Sequence, residues 1–116
     1  MNTGREKFGV FIRRVREAKE IGLREMAKKI GVSPTYLSKV ERDEFPPPAE
    51  DKVRKIAGIL GLDPDELLAL AGRVASDLTE IIREQPRQMA DFLRAAKGLT
   101  AEDIARLARQ AQKSRK

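Results

Sequence analysis

The four residues Gly31-Val32-Ser33-Pro34 constrain this chain more than any others, because they set a helix stop beside a helix start. Gly31 suits the position just past a helix, where the backbone turns left-handed and only Gly does so cheaply. Ser33 suits an N-cap and Pro34 the first helical position, where a missing N–H costs nothing. Upstream, Leu23, Met26, Ala27 and Ile30 recur at helical spacing and form one apolar face. Gly22 stands at the N-cap of that helix, with Glu25 three residues on at half of a capping-box spacing. Downstream, Leu37 and Val40 face inward, while Thr35, Tyr36, Ser38, Lys39 and Arg42 face out. The stretch from Ile21 to Glu44 therefore predicts two short helices joined by a tight turn. The small Ala27 lets them cross closely.

The outer face of the second helix is polar and basic. Its first turn carries backbone N–H groups that lack helical partners and can take a phosphate. Polar side chains near the start of such a helix suit the reading of base edges in a major groove. The same residues also suit an ordinary helical hairpin with a solvated face. The compatible offsets of Ala27, Gly31, Val32-Ser33, Leu37 and Val40, taken with the charge, favour DNA. On that reading Thr35, Tyr36 and Lys39 reach base edges, and Ser38 shares their face. Arg24, Ser33 and Pro34 lie at the backbone, with the Ser33 hydroxyl shared between cap and phosphate. Arg42 clamps a phosphate from the far end.

Charge is distributed to match. The chain carries a formal net charge of +6. Residues 1–45 hold eleven Lys and Arg against seven acids, residues 46–72 three against five, and residues 73–116 ten against six. Positive charge gathers on the candidate reading unit and again at the C-terminal end, as a polyanion partner requires. The absence of Cys excludes disulfides and thiolate metal sites, and the absence of His removes the commonest general base and metal ligand. No catalytic residue, metal site or cofactor is expected. Absence of Cys fits a reducing cytoplasm. No apolar run is long enough to cross a membrane, and the N-terminal Met-Asn-Thr-Gly-Arg-Glu-Lys lacks the apolar core of a signal peptide. Aromatics are few (Phe8, Phe11, Tyr36, Phe45, Phe92), and the β-branched residues do not alternate. The fold class expected is all-α.

The rest of the chain reads as further helices. Thr3 and Glu6 stand at capping-box spacing before a first helix whose stripe is Phe8, Phe11, Ile12 and Val15. Arg13, Arg14 and Arg16 on that helix suit a phosphate clamp or a solvated face. Pro46-Pro47-Pro48 enforce a stiff extended connector, one that could set the amides after the second helix of the pair near a phosphate. A helix from about Ala49 to Leu60 follows, ended by Gly61. Asp63-Pro64-Asp65-Glu66 starts another, ended by Gly72. Its paired carboxylates are accounted for by capping, with no nucleophile nearby. From residue 73 the expectation is three short amphipathic helices: Ser76 to about Gln85, one opened by Pro86 and stopped by Gly98, and one capped by Thr100. The last has Ile104, Leu107, Ala108 and Ala111 on one face and ends in a frayed basic tail, Gln112 to Lys116.

The segment from Phe8 to about Leu70 resembles the phage-repressor-like, or Xre-type, helix-turn-helix family. The resemblance rests on Phe11-Ile12-Arg13-Arg14-Val15-Arg16, Leu23-Arg24-Glu25-Met26-Ala27, Ile30-Gly31-Val32-Ser33, Tyr36-Leu37-Ser38-Lys39-Val40-Glu41-Arg42 and Leu60-Gly61-Leu62-Asp63-Pro64-Asp65-Glu66-Leu67. Many members have Gly where this chain has Glu20, Ser or Thr where it has Gly22, and Gln where it has Pro34-Thr35. The resemblance implies a five-helix lambda-repressor-like DNA-binding domain, no catalysis and dimeric operator binding. It also implies a structural ion pair between Arg16 and Glu41. The expected organisation is a DNA-binding domain over residues 1–72 and a helical extension over residues 73–116. That extension buries little alone, so it is expected to pair two copies of the chain across a two-fold axis. Recognition helices about 34 Å apart would then enter successive major grooves. The function expected is a sequence-specific regulator of transcription, a dimeric repressor in the cytoplasm. The alternative is an antitoxin or adaptor whose C-terminal helices bind a protein partner, with DNA binding for autoregulation.

Overall fold

The computed structural model describes residues 6–115, and among them every regular element is an α-helix. In chain order they are α1 (Phe8–Ala18), α2 (Leu23–Ile30), α3 (Pro34–Glu41), α4 (Glu50–Leu60), α5 (Pro64–Leu70), α6 (Ser76–Glu84), α7 (Pro86–Ala95) and α8 (Ala101–Ser114). None of them is long and apolar enough to cross a membrane. The chain divides into two compact units, Met1–Ser76 and Asp77–Lys116.

The first unit is built on one apolar core. Phe8 and Ile12 of α1, Met26, Ala27 and Ile30 of α2, and Leu37 and Val40 of α3 meet Val53, Ile56, Ala57 and Leu60 of α4 and Leu67 and Leu68 of α5. α4 packs on α5 and α2, and α3 packs on α1 and α2. Burying each large side chain contributes roughly 1.5–3 kcal/mol relative to leaving it exposed. Leu37 and Val40 thus pin α3 by one side only. The segment after α5 is tied to the same unit. Arg73 Nη2 donates to the Pro47 carbonyl at 2.7 Å, Ala75 is buried, and the Ser76 N–H donates to Glu50 Oε1 at 3.2 Å.

Local signals set most helix ends. Gly31 is left-handed, φ 81°, and its N–H donates to the Ala27 carbonyl at 2.9 Å. Asp63 caps α5 by accepting from the Glu66 N–H at 3.0 Å. Three expectations fail locally. Thr3 lies outside the described residues, and α1 starts at Phe8 with Lys7 at an N-cap that makes no side-chain cap bond. Glu6 precedes that helix, so it cannot take a capping position; its carboxylate instead accepts from Arg14 Nε and Nη2 at 3.1 and 3.0 Å. Gly22 does stand at the N-cap of α2, but the Glu25 half of its capping box does not form, because the carboxylate reaches down the helix to Lys29 at 3.4 Å. The basic end does not fray at Gln112: α8 runs through Ser114, whose hydroxyl donates to the Gln110 carbonyl at 3.2 Å.

The second unit has good caps and no core. Thr100 and Asp103 form a reciprocal capping box at the start of α8. Yet α6, α7 and α8 contain no buried residue. Phe92 and Leu93 are each 51% exposed and Ile104 is 50% exposed.

Candidate nucleic-acid interface

The presentation of α3 begins with how its two ends are held. At its start, Ser33 Oγ accepts from the Tyr36 N–H at 3.0 Å, and Pro34 fills the first helical position. At its end, the helix is fastened to α1 by two independent contacts. Arg16 Nε and Nη2 donate to the two Glu41 carboxylate oxygens at 2.7 and 2.9 Å, and Arg16 Nη1 donates to the Ile21 carbonyl at 2.8 Å. Arg16 is 7% exposed and Glu41 4%. The hydrogen bonds to Glu41 hold the Arg16 guanidinium above its ordinary pKa. One guanidinium thus joins α1, the α1–α2 connection and the last turn of α3.

The second fastening involves residues to which the sequence assigned no role. The Gly9 N–H donates to Asp43 Oδ1 at 3.0 Å. A Cβ at Gly9 would lie 2.8 Å from the Glu41 carbonyl oxygen and closer still to that of Val40. Only glycine lets α1 approach the end of α3 this closely. Asp43 holds a left-handed backbone, φ 59°, which Asp tolerates better than most residues. Glu20, in the α1–α2 connection, is also left-handed at φ 58°.

Held this way, α3 divides seven of the eight candidate contact residues into two groups, with Ser33 apart from both as the cap. Arg24, Pro34, Thr35, Ser38 and Arg42, with Leu23, line a concavity of about 290 Å³ between the starts of α2 and α3. Arg24 and Thr35 are exposed, Ser38 half-buried. Arg24 makes no ion pair among the described residues, so its charge is available. Ser33, the cap, keeps its hydroxyl proton free to donate, because the oxygen is used as an acceptor. The other group is Tyr36 and Lys39, which turn toward Phe45. The Tyr36 and Phe45 rings lie 5.8 Å apart, tilted at 46°, and Lys39 Nζ sits 5.2 Å from the Phe45 centroid. Tyr36 does not face fully outward. It is half-buried and packs against the core edge.

Several expected phosphate contacts change. Arg42 is not a free cation: Nε and Nη2 donate to the Glu44 carboxylate at 2.9 and 3.3 Å, and Nη1 donates to Ser38 Oγ at 2.7 Å. The bond from Arg42 holds the Glu44 carboxyl below the usual carboxylate range. The amides following α3 do not point at a ligand either. Those of Arg42, Asp43, Glu44 and Phe45 all donate back to carbonyls of Ser38, Val40 and Lys39, and the three prolines beyond have none. In the first turn, Pro34 has no N–H and that of Tyr36 is taken by Ser33, which leaves that of Thr35. Arg13 and Arg14 form no common clamp. Arg13 pairs with Glu17 at 3.1 Å, and Arg14 pairs with Glu6 while lying 5.3 Å from the Phe11 centroid.

The residues missed by sequence reasoning are therefore Gly9, Asp43, Glu44 and Phe45. An exposed Phe in a chain with so few aromatics was a visible signal; the partners of the other three were not. Among the described residues no group of His, Cys, Asp or Glu is arranged to hold a metal ion.

This architecture has known counterparts. The DNA-binding domain of the P22 C2 repressor superposes with a TM-score of 0.50 at 32% identity, covering 59% of this chain and 86% of that one. The clp gene regulator ClgR from Corynebacterium glutamicum gives 0.50 at 25% identity, covering 83% of this chain and 96% of that one. An HTH-type transcriptional regulator of Mycobacterium tuberculosis is 36% identical over 76 residues, which is 66% of this chain and 54% of that protein. The chain thus spans about half the length of the curated relatives it matches. A model of the helix-turn-helix domain family matches residues 9–73, the segment that holds α1 to α5. By that match, and by the lambda-repressor-like arrangement of its first five helices, the chain belongs to the helix-turn-helix domain family, in its phage-repressor-like, Xre-type branch.

Proposed function

We propose that this protein is a sequence-specific, double-stranded DNA-binding regulator of transcription, acting in the cytoplasm as a dimeric repressor that occupies a promoter. The observation that carries the reading is α3 itself. Its inner side is sunk in the core through Leu37, Val40 and Glu41, while Thr35 and Ser38 are left on a polar side next to Arg24 and Lys39 lies over the Phe45 ring. A helix held by one side and flanked by cations suits insertion in a major groove. The names of the relatives, a repressor's DNA-binding domain and an HTH-type transcriptional regulator, point the same way.

In this account Thr35, Tyr36 and Lys39 make base-edge contacts. Arg24, the Ser33 hydroxyl and the Thr35 N–H hold phosphates, with Pro34 packed against the backbone and Ser38 at the floor of the concavity. Arg42 reaches a phosphate by exchanging Glu44 for it. Arg16 and Glu41 act as structure, setting the angle of α3. Lys39→Ala is expected to weaken binding to a selected duplex by roughly 1–3 kcal/mol and to relax specificity at one base pair. Gel shifts on that duplex and its single-base variants test this; unchanged discrimination would remove Lys39 from the reading set.

The second unit supports the dimer. Three helices without a buried residue cannot offset the entropy of ordering them. The exposed faces of Phe92, Leu93 and Ile104 suit a second copy of the chain. Leu107 is a poor probe of that pairing, being half-covered already. Ile104→Glu is the better one: it should leave the first unit folded and halve the mass seen by sedimentation. The same faces also suit a foreign protein partner, the antitoxin or adaptor reading. A wild-type chain that sediments as a monomer would favour that reading.

A further inference from the structure

Phe45 is 39% exposed immediately beyond α3. Neighbouring contacts hold it in place. The Phe45 N–H donates to the Lys39 carbonyl at 3.3 Å, the Tyr36 ring backs it at 5.8 Å, and Pro46 to Pro48 stiffen the chain that follows. Above it lies the Lys39 ammonium, 5.2 Å from the ring centroid. Lys39 makes no ion pair among the described residues. The Glu44 carboxylate, which feels the Lys39 charge, already gives both oxygens to Arg42.

A half-buried lysine whose ammonium has no ion-pair partner still samples several rotamers, and these must be given up when it binds. The negative face of an aromatic ring attracts a cation and narrows that choice beforehand. We propose that the Phe45 ring is a positioning element for the Lys39 ammonium and thereby sets which base Lys39 reads in duplex DNA. The inference rests on the DNA-binding reading of α3 and adds a specificity determinant outside that helix. It separates two roles for one side chain. A ring that merely covers Tyr36 would affect folding and all duplexes alike. A ring that orients Lys39 affects one base position and acts only through Lys39.

The test uses the full chain and a duplex enriched by the wild-type protein from a randomised library. Phe45→Leu keeps apolar bulk and removes the aromatic face; Phe45→Trp keeps that face. Each is made in the wild-type and Lys39→Met backgrounds, and thermal melting establishes which variants are folded. Affinities are measured for the enriched duplex and for its single-base variants. Phe45→Leu should weaken the enriched duplex about 2- to 5-fold. The loss should fall at the same base position that Lys39→Met flattens, and it should vanish in the Lys39→Met background. Phe45→Trp should retain wild-type discrimination. Equal weakening of all duplexes by Phe45→Leu would overturn the proposal, as would effects of Phe45→Leu and Lys39→Met that multiply independently. If the wild-type chain enriches no duplex, the DNA reading fails first and this inference falls with it, an outcome separable from the other two.

Discussion

Arg16→Ala would take the counter-charge from Glu41, a residue only 4% exposed in the wild-type fold. The wild-type pair has two short charge-assisted bonds, 2.7 and 2.9 Å, and a third from Arg16 to the Ile21 carbonyl. Breaking a buried pair by removing one partner costs roughly 3–5 kcal/mol. Counting only the two bonds to Glu41 gives a comparable figure, since a hydrogen bond to a charged group is worth about 1.5–3 kcal/mol. A domain of this size has roughly 5–15 kcal/mol in hand, so either Arg16→Ala or Glu41→Ala would bring the first unit near unfolding. Replacing both residues together, Arg16→Met with Glu41→Leu, removes the stranded charge and restores apolar packing. Such replacements are often neutral or stabilising. The double variant should therefore lose far less than the sum of the single losses. Urea denaturation followed by far-ultraviolet circular dichroism measures all of these, with the coupling read from the cycle. Single losses below about 1 kcal/mol, the range of a surface pair, would refute the argument. So would losses that simply add.

Three further outcomes follow from contacts around α3 and α8. Gly9→Ala should destabilise by about 1–3 kcal/mol through overpacking, because the new Cβ meets backbone carbonyls of Val40 and Glu41; a melting temperature equal to or above wild type would contradict this, given that Ala is the better helix former. Arg42→Gln removes the cation that exchanges Glu44 for a phosphate, so the salt dependence of DNA binding should become shallower by roughly one unit of slope; an unchanged slope would mean that Arg42 never meets a phosphate. Asp103 is held below the usual carboxylate range, first by its bond from Arg106 and then by those from Thr100. Its folded-state pKa is thus lower than its unfolded one, so its stabilisation is complete above the unfolded value and lost as pH falls through the folded value. Acid titration followed by circular dichroism should show wild type losing helix more steeply than Asp103→Asn, and superposable curves would count against the cap.

Local chemistry made the helix boundaries readable. Gly31, Ser33-Pro34, Asp63-Pro64 and Thr100 carry their conformational preference within one or two residues, and the helices begin and end there. The inner faces were readable for the same reason, through helical spacing alone. What escaped depends on residues far apart in the chain. Gly9 looks like any glycine until α1 lies across the end of α3. Arg42 looks like a free cation until Glu44 and Ser38 close on it. The amides after α3 look available until each is seen bonded to a carbonyl behind it. Glu6 and Glu25 each stand at a capping distance in the sequence, yet each carboxylate has a nearby cation and goes to it instead. Sequence spacing identifies which groups can compete for a partner, whereas geometry decides which of them wins.

The central claim is that the polar side of α3 reads the edges of base pairs. The most direct measurement is a matrix of affinities: wild type, Thr35→Ala and Lys39→Ala against an enriched duplex and all its single-base variants at fixed salt. The account predicts that wild type discriminates by about 1–3 kcal/mol at its contacted positions. Each substitution should abolish that discrimination at one position and leave the others intact. A wild-type chain that binds no duplex at low salt, or variants that keep the full discrimination profile, would contradict it.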